Sequence, residues 1–92
     1  MFTGTTSTGF EFSVDERIKN DWRLVKAIAD AESDNPTIRI SGTCNLVMLL
    51  LGADGEKKLQ EHIAARNDGL VPMEDLKNEI ANVLSSIREI KK

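Results

Sequence analysis

DERIKNDWRLVKAIADAES, residues 15–33, is the stretch on which the reading of the fold turns. Apolar side chains recur at Ile18, Trp22, Val25 and Ala29, and Leu24 and Ile28 widen the stripe. A 4-3-4 spacing places such residues on one face of an α-helix. Glu16, Lys19, Asn20, Arg23, Lys26 and Asp30 fall opposite. Asp15 can cap the start, because its carboxylate accepts the free backbone N–H groups of a first turn. The spacing therefore predicts one helix over 15–33 with Trp22 at the centre of its buried face. The single tryptophan is expected in the core, and replacing it is expected to unfold the domain.

Outward from that helix, residues 1–14 have a different character. They are rich in Thr, Ser and Gly and hold all the phenylalanines. Phe10 to Val14 alternate apolar and polar, the period of a half-buried strand. With a turn at Ser7-Thr8-Gly9, this predicts a β-hairpin of strands near 1–6 and 9–14. An isolated hairpin is marginal in water, so it must pack on the helices or pair with another chain.

Downstream, Asn35 can cap a second helix with Pro36 at its first position, where a missing N–H costs nothing. That helix is expected over 36–51, with Ile40, Cys44, Val47 and Leu51 inward. Leu46, Met48, Leu49 and Leu50 leave its second half almost without a polar side, which predicts a central, buried element. Ile38 and Ile40 alternate with polar residues, so a short strand competes there. Gly42 costs such a helix about 1 kcal/mol relative to Ala. Gly52 ends it, and Asp54 can cap a third helix over 55–68, with Leu59, Ile63 and His62 facing inward. Gly69 stops the third helix, with Leu70 placed for a hydrophobic contact at its C-terminal cap. Pro72 opens a fourth helix over 72–91. Its acids, Glu74 and Asp75, stand in the first turn and its bases, Arg88, Lys91 and Lys92, at the last, as the helix dipole favours. Met73, Leu76, Ile80, Val83, Ile87 and Ile90 follow the rhythm of a coiled-coil seam. The stripe either packs within the domain or offers its outer half to a partner.

The expected fold is thus α+β and mainly α: an N-terminal hairpin, then about four helices packed as a small single-domain bundle spanning 1–92. With 92 residues, 40% hydrophobic and 29% charged, the chain suits one modest core. A net charge of −3 argues against sequence-independent binding of nucleic acid, which needs a concentrated basic surface. One cysteine allows no internal disulfide and points to a reducing compartment. Leu46–Leu51 is the longest strongly apolar run and is too short to span a bilayer. The N-terminus lacks the pattern of a signal peptide, so the expectation is a cytosolic protein without membrane contact.

No catalytic, cofactor or metal constellation emerges. His62 is the only histidine, and Cys44 reads as an inert thiol in a buried helix. Ser85-Ser86 has no activating partner, and the glycines follow no phosphate-binding pattern. A DNA-binding helix-turn-helix around Gly52–Asp54 would place Lys57, Lys58 and Gln60 on a recognition helix, but Glu56 and Glu61 interleave them.

The order of segments carries a resemblance. Gly9-Phe10-Glu11-Phe12 leads into Val14-Asp15-Glu16-Arg17-Ile18 and Asp21-Trp22-Arg23-Leu24. A leucine-rich helix ends at Leu49-Leu50-Leu51-Gly52. Then follow Gly55-Glu56-Lys57-Lys58-Leu59, Glu61-His62-Ile63, Asn67-Asp68-Gly69, a proline and an acidic last helix. Over nearly its whole length this resembles the small tail assembly chaperones of long-tailed, siphovirus-type phages and prophages of Gram-positive bacteria. The resemblance implies a non-enzymatic helper that binds the helical tape measure protein and tail tube subunits in the host cytoplasm and leaves before the particle is complete. It also implies, in many such phages, a programmed frameshift near Lys91-Lys92 that makes a longer form. A structural connector that stays in the particle and a small DNA-binding regulator are the alternatives. A chaperone of helices needs an exposed apolar groove or seam. Phe10, Phe12, Val83, Ile87 and Ile90 are the candidate partner-binding residues, with self-association a further expectation.

Overall fold

Asp21, in the middle of the expected first helix, breaks it. The computed structural model describes residues 1–88. In it, Asp15 caps a short 3-10 helix, Glu16–Asn20, and Asp21 then caps a new helix, α1, Trp22–Ala31. Asp21 has extended backbone angles, φ −83° and ψ 125°, so the helical phase restarts there. The restart turns the stripe Leu24, Ala27, Ile28, Ala31 inward, itself an i, i+3, i+4, i+7 series. Trp22, Val25 and Ala29 therefore point to solvent, and Trp22 is 71% exposed. The expectation of a core tryptophan is corrected: it assumed one continuous helix with one phase.

The two caps are copies of one device. Each aspartate accepts the backbone N–H of the residue two places on, Arg17 or Arg23, and pairs with that arginine's guanidinium. The arginine hydrogen bonds hold both carboxyls down from the ordinary 3.8 to about 2. A carboxyl whose pKa is lower in the folded chain stabilises it above the unfolded value and loses that contribution as pH falls through the folded one. The pairs lie at the surface, so the effect is screened and small. The double variant Asp15→Asn, Asp21→Asn keeps a capping oxygen and loses the charge. Its melting temperature is expected to fall less between about pH 4 and pH 2 than that of the wild type, in low salt only.

Strands β1, Phe2–Thr5, and β2, Glu11–Val14, form the expected hairpin, antiparallel with Phe2 opposite Val14 and Thr5 opposite Glu11. Its turn is closed by the Thr6 N–H donating to the Phe10 carbonyl at 2.8 Å. Phe12 and Val14 face inward, and the Phe2 and Phe12 rings meet at 6.1 Å. β2 packs on the long helix Pro36–Arg66 and β1 on the last, Met73–Arg88, so the hairpin covers one side of the helical layer.

Asn35 caps α2, Pro36–Arg66, with Pro36 in its first turn, as the sequence predicts. The helices expected over 36–51 and 55–68 are the two arms of this element. They meet at Gly52, whose φ of 72° and ψ of 177° interrupt the helix without a loop. Only glycine adopts that backbone region readily. The described chain therefore has three α-helices instead of four. A DNA-binding helix-turn-helix needs a turn of a few residues between its helices, and none stands at Gly52. Residues 37–41 are helical, which removes the competing strand.

Gly42, on the first arm, crosses α1 at backbone distance: a Cβ there would stand 2.5 Å from the Ala31 nitrogen. That contact sets the phase of the arm. Thr43, Leu46, Val47 and Leu50 go inward, and Ile40, Cys44 and Met48 go outward. The expected buried thiol is thus an exposed one. The apolar second half of the arm is not wholly buried, because α1 and the hairpin cover only its inner sides. By length and composition α2 could cross a membrane, yet Leu46, Val47, Leu50, Leu59 and Ile63 on it form the centre of the core.

α2 ends at Asn67, and Asp68 and Gly69 take positive φ values. Leu70 is 69% exposed, so it makes no burying cap contact. The last helix, α3, runs Met73–Arg88, with Ile80, Val83 and Ile87 buried on the predicted seam and Met73 exposed. The remainder of the helix expected over 72–91 lies outside the described residues.

Candidate functional site

A carboxylate stands on the inner stripe of α3. Glu79 falls between Leu76 and Val83, a position the helical period assigns to the core, and it is 4% exposed. It is held by the hairpin turn. The Thr6 hydroxyl donates to Glu79 Oε1 at 2.7 Å, and the Thr8 hydroxyl donates to Oε2 at 2.7 Å. Thr6 Oγ1 in turn accepts the Phe10 backbone N–H at 3.1 Å. Thr8 Oγ1 lies 2.9 Å from His62 Nε2, on the second arm of α2. A hydroxyl has one proton. With the Thr8 proton directed at Glu79, His62 Nε2 is the donor to Thr8. The Ser7 backbone N–H also donates to Asn82 Oδ1 at 3.2 Å, one turn further along α3.

A hydroxyl, an imidazole and a carboxylate within hydrogen-bonding reach invite comparison with a nucleophilic triad. The order here is different. In a triad the imidazole stands between hydroxyl and carboxylate, so it can take the hydroxyl proton. Here the Thr8 hydroxyl stands in the middle and receives a hydrogen from the imidazole. Its own proton points at the Glu79 carboxylate, which also accepts from Thr6. A cavity of about 190 Å³ adjoins the cluster, lined by His62, Arg66, Asn67, Asp75 and Asn78 among others. Asn67 Nδ2 already donates to Asp75 and to the Ile63 carbonyl. Among the described residues no buried side-chain nitrogen or oxygen lacks a partner, and no group of three or more His, Cys, Asp or Glu could hold a metal ion. The arrangement is a clasp: one buried carboxylate ties the hairpin turn to α3, and through Thr8 to α2.

Sequence reasoning missed this cluster because Thr6 and Thr8 are more than 50 positions from His62 and Glu79. The local signal was the acid inside the apolar stripe of α3. A charge at a core position requires partners, and only hydroxyls near it in space can supply them.

The candidate partner-binding residues lie elsewhere than expected. Phe10, Phe12, Val83 and Ile87 are all buried in the core. The hairpin face with the phenylalanines is turned onto the helices, with the Phe10 ring 5.5 Å from that of His62. The expectation that these four form an exposed face is corrected. Ile90 lies outside the described residues. What the chain exposes instead is Trp22, Val25 and Ala29 on α1, Ile38, Ile40, Cys44 and Met48 on α2, Leu70 and Val71 between α2 and α3, and Met73 at the start of α3.

Comparison with known proteins adds no relative: no protein-family model, no curated protein and no solved structure matches the chain.

Proposed function

We propose that the chain is a non-enzymatic protein-binding module that works as a phage tail assembly chaperone. On this reading it holds the tape measure protein soluble in the host cytoplasm and brings tail tube subunits to it. The resemblance in segment order motivates the reading. The observation that carries it is the position of Trp22, 71% exposed on the outward face of α1 beside Val25 and Ala29. Tryptophan is among the residues that dominate protein–protein binding when a partner covers them. An amphipathic client helix can lay its apolar face on such a surface.

Co-expression with the tape measure protein of the same genome tests this. The wild-type chain is expected to raise the soluble yield of the client and to co-purify with it. The double variant Trp22→Ala, Val25→Ser is expected to stay within about 1 kcal/mol of wild-type stability, because both side chains are largely outside the core. It is expected to lose the client. A client equally soluble with and without the wild-type chain would remove the reading.

A further inference from the structure

α1 and α3 are both packed on α2 and leave a furrow between them. Two adjoining concavities make it up, of about 310 and 210 Å³, and they share Ile28 and Leu84. The floor is apolar, formed by Leu24, Ile28, Leu46, Ile80, Leu84 and Ile87. Among the described residues, Lys77 and Arg88 stand at its margins against one carboxylate, Glu32. This furrow is therefore cationic on a chain whose net charge is −3.

Lys77 and Arg88 matter most. They stand along one wall of α3, about three helical turns apart, with Ala81 and Leu84 between them on that wall. Neither has an ion-pair partner among the described residues, whereas Arg17, Arg23 and Lys26 are each paired with an aspartate. An apolar trough of that length, cationic along one wall, has a complement. It is a helix of about three turns with an apolar stripe and carboxylates on one flank. A basic helix would meet like charges there, which is how a charged margin rejects wrong partners.

We infer that the furrow between α1 and α3 binds a foreign amphipathic helix with an acidic flank. The inference rests on the reading of the chain as a protein-binding module and gives its partner a chemistry. Val25 lines both the furrow and the outward face of α1, so the two surfaces are continuous.

The probe is a fluorescein-labelled designed peptide of about four helical turns. It carries leucines at alternating third and fourth positions and glutamates along one flank. Its twin has lysines in place of the glutamates. The glutamate peptide is expected to bind, and about tenfold more weakly to the double variant Lys77→Glu, Arg88→Glu. The lysine twin is expected to prefer that variant over the wild type. Ala81→Arg, which adds bulk to an exposed wall position, is expected to block both peptides while leaving thermal unfolding unchanged. Failure of the glutamate peptide to bind, equal binding of the twins, or indifference to the substitutions would overturn the inference. So would a chain that self-associates through the furrow, seen as a dimer that Lys77→Glu, Arg88→Glu converts to monomer. Co-expression separates this from the broader reading. A wild-type chain that solubilises the tape measure protein, together with a Lys77→Glu, Arg88→Glu variant that does so equally well, refutes the furrow and leaves the chaperone reading standing. A wild-type chain that does not solubilise it refutes the chaperone reading, and the peptide titration still decides the furrow.

Discussion

Gly42→Ala is expected to lower the melting temperature by about 10 °C, although alanine is the better helix former. The added Cβ would lie 2.5 Å from the Ala31 nitrogen, 2.5 Å from the Asp30 Cβ and 2.6 Å from the Asp30 carbonyl carbon. Two of those atoms are backbone and cannot rotate away, so α1 and α2 must separate where they cross. Overpacking of this kind costs about 3 kcal/mol. The gain in helix propensity offsets about 1 kcal/mol of it. The neighbouring substitution Ser41→Ala, on the exposed side of the same turn, is the control and is expected to shift stability by about 0.5 kcal/mol or less. Thermal and urea unfolding of the two variants measure the difference. A Gly42→Ala chain as stable as the wild type would mean that the helices do not cross at backbone distance.

Glu79→Ala is the second large effect, about 3 kcal/mol, for a different reason. The Thr6 and Thr8 hydroxyls both give their protons to this carboxylate. Removing it takes the acceptor from the buried Thr6 hydroxyl and the half-buried Thr8 hydroxyl and leaves a cavity on the inner stripe of α3. The loss is expected to be local first. The Phe10 N–H, bonded to Thr6 Oγ1, is expected to exchange with solvent faster than the core amides of α2. Glu79→Gln retains one acceptor oxygen and is expected to lose about half as much. Denaturant unfolding gives the magnitudes, and hydrogen exchange shows whether the hairpin opens before the rest. If Phe10 stays protected while stability falls, the carboxylate supports the core in general and does not clasp the turn.

The fold was legible where one local rule governs an element. Alternation gave the hairpin, Asn35-Pro36 the start of α2, and a regular stripe the inner face of α3. Gly52 and Gly69 marked real interruptions, although the first proved to be a kink inside a helix, because one residue at positive φ reorients the chain without a loop. The first helix departs from the continuous one expected over 15–33 for a reason that is also in the sequence. Asp15 and Asp21 each precede an arginine by two positions, and each is a cap. A second cap resets the phase, and once the phase is reset Leu24, Ala27, Ile28 and Ala31 become the buried set. The side chains of α2 could not be assigned from its own pattern, since its first arm is apolar on several sides. What decides them is the crossing at Gly42, which depends on α1. The clasp was invisible for the same reason: its members come from the hairpin, from the second arm of α2 and from α3. Four of the expected partner residues were apolar on a clear period, and that period is equally the signature of a core.

The account depends most on the surface position of the only tryptophan, so quenching of its fluorescence by iodide or acrylamide is the direct test. Trp22 in the folded chain is expected to be quenched nearly as readily as free N-acetyltryptophanamide, and to become protected when the tape measure protein is bound. A tryptophan shielded in the folded chain alone, and exposed only on unfolding, would put it back in the core and contradict both the fold of α1 and the function drawn from it.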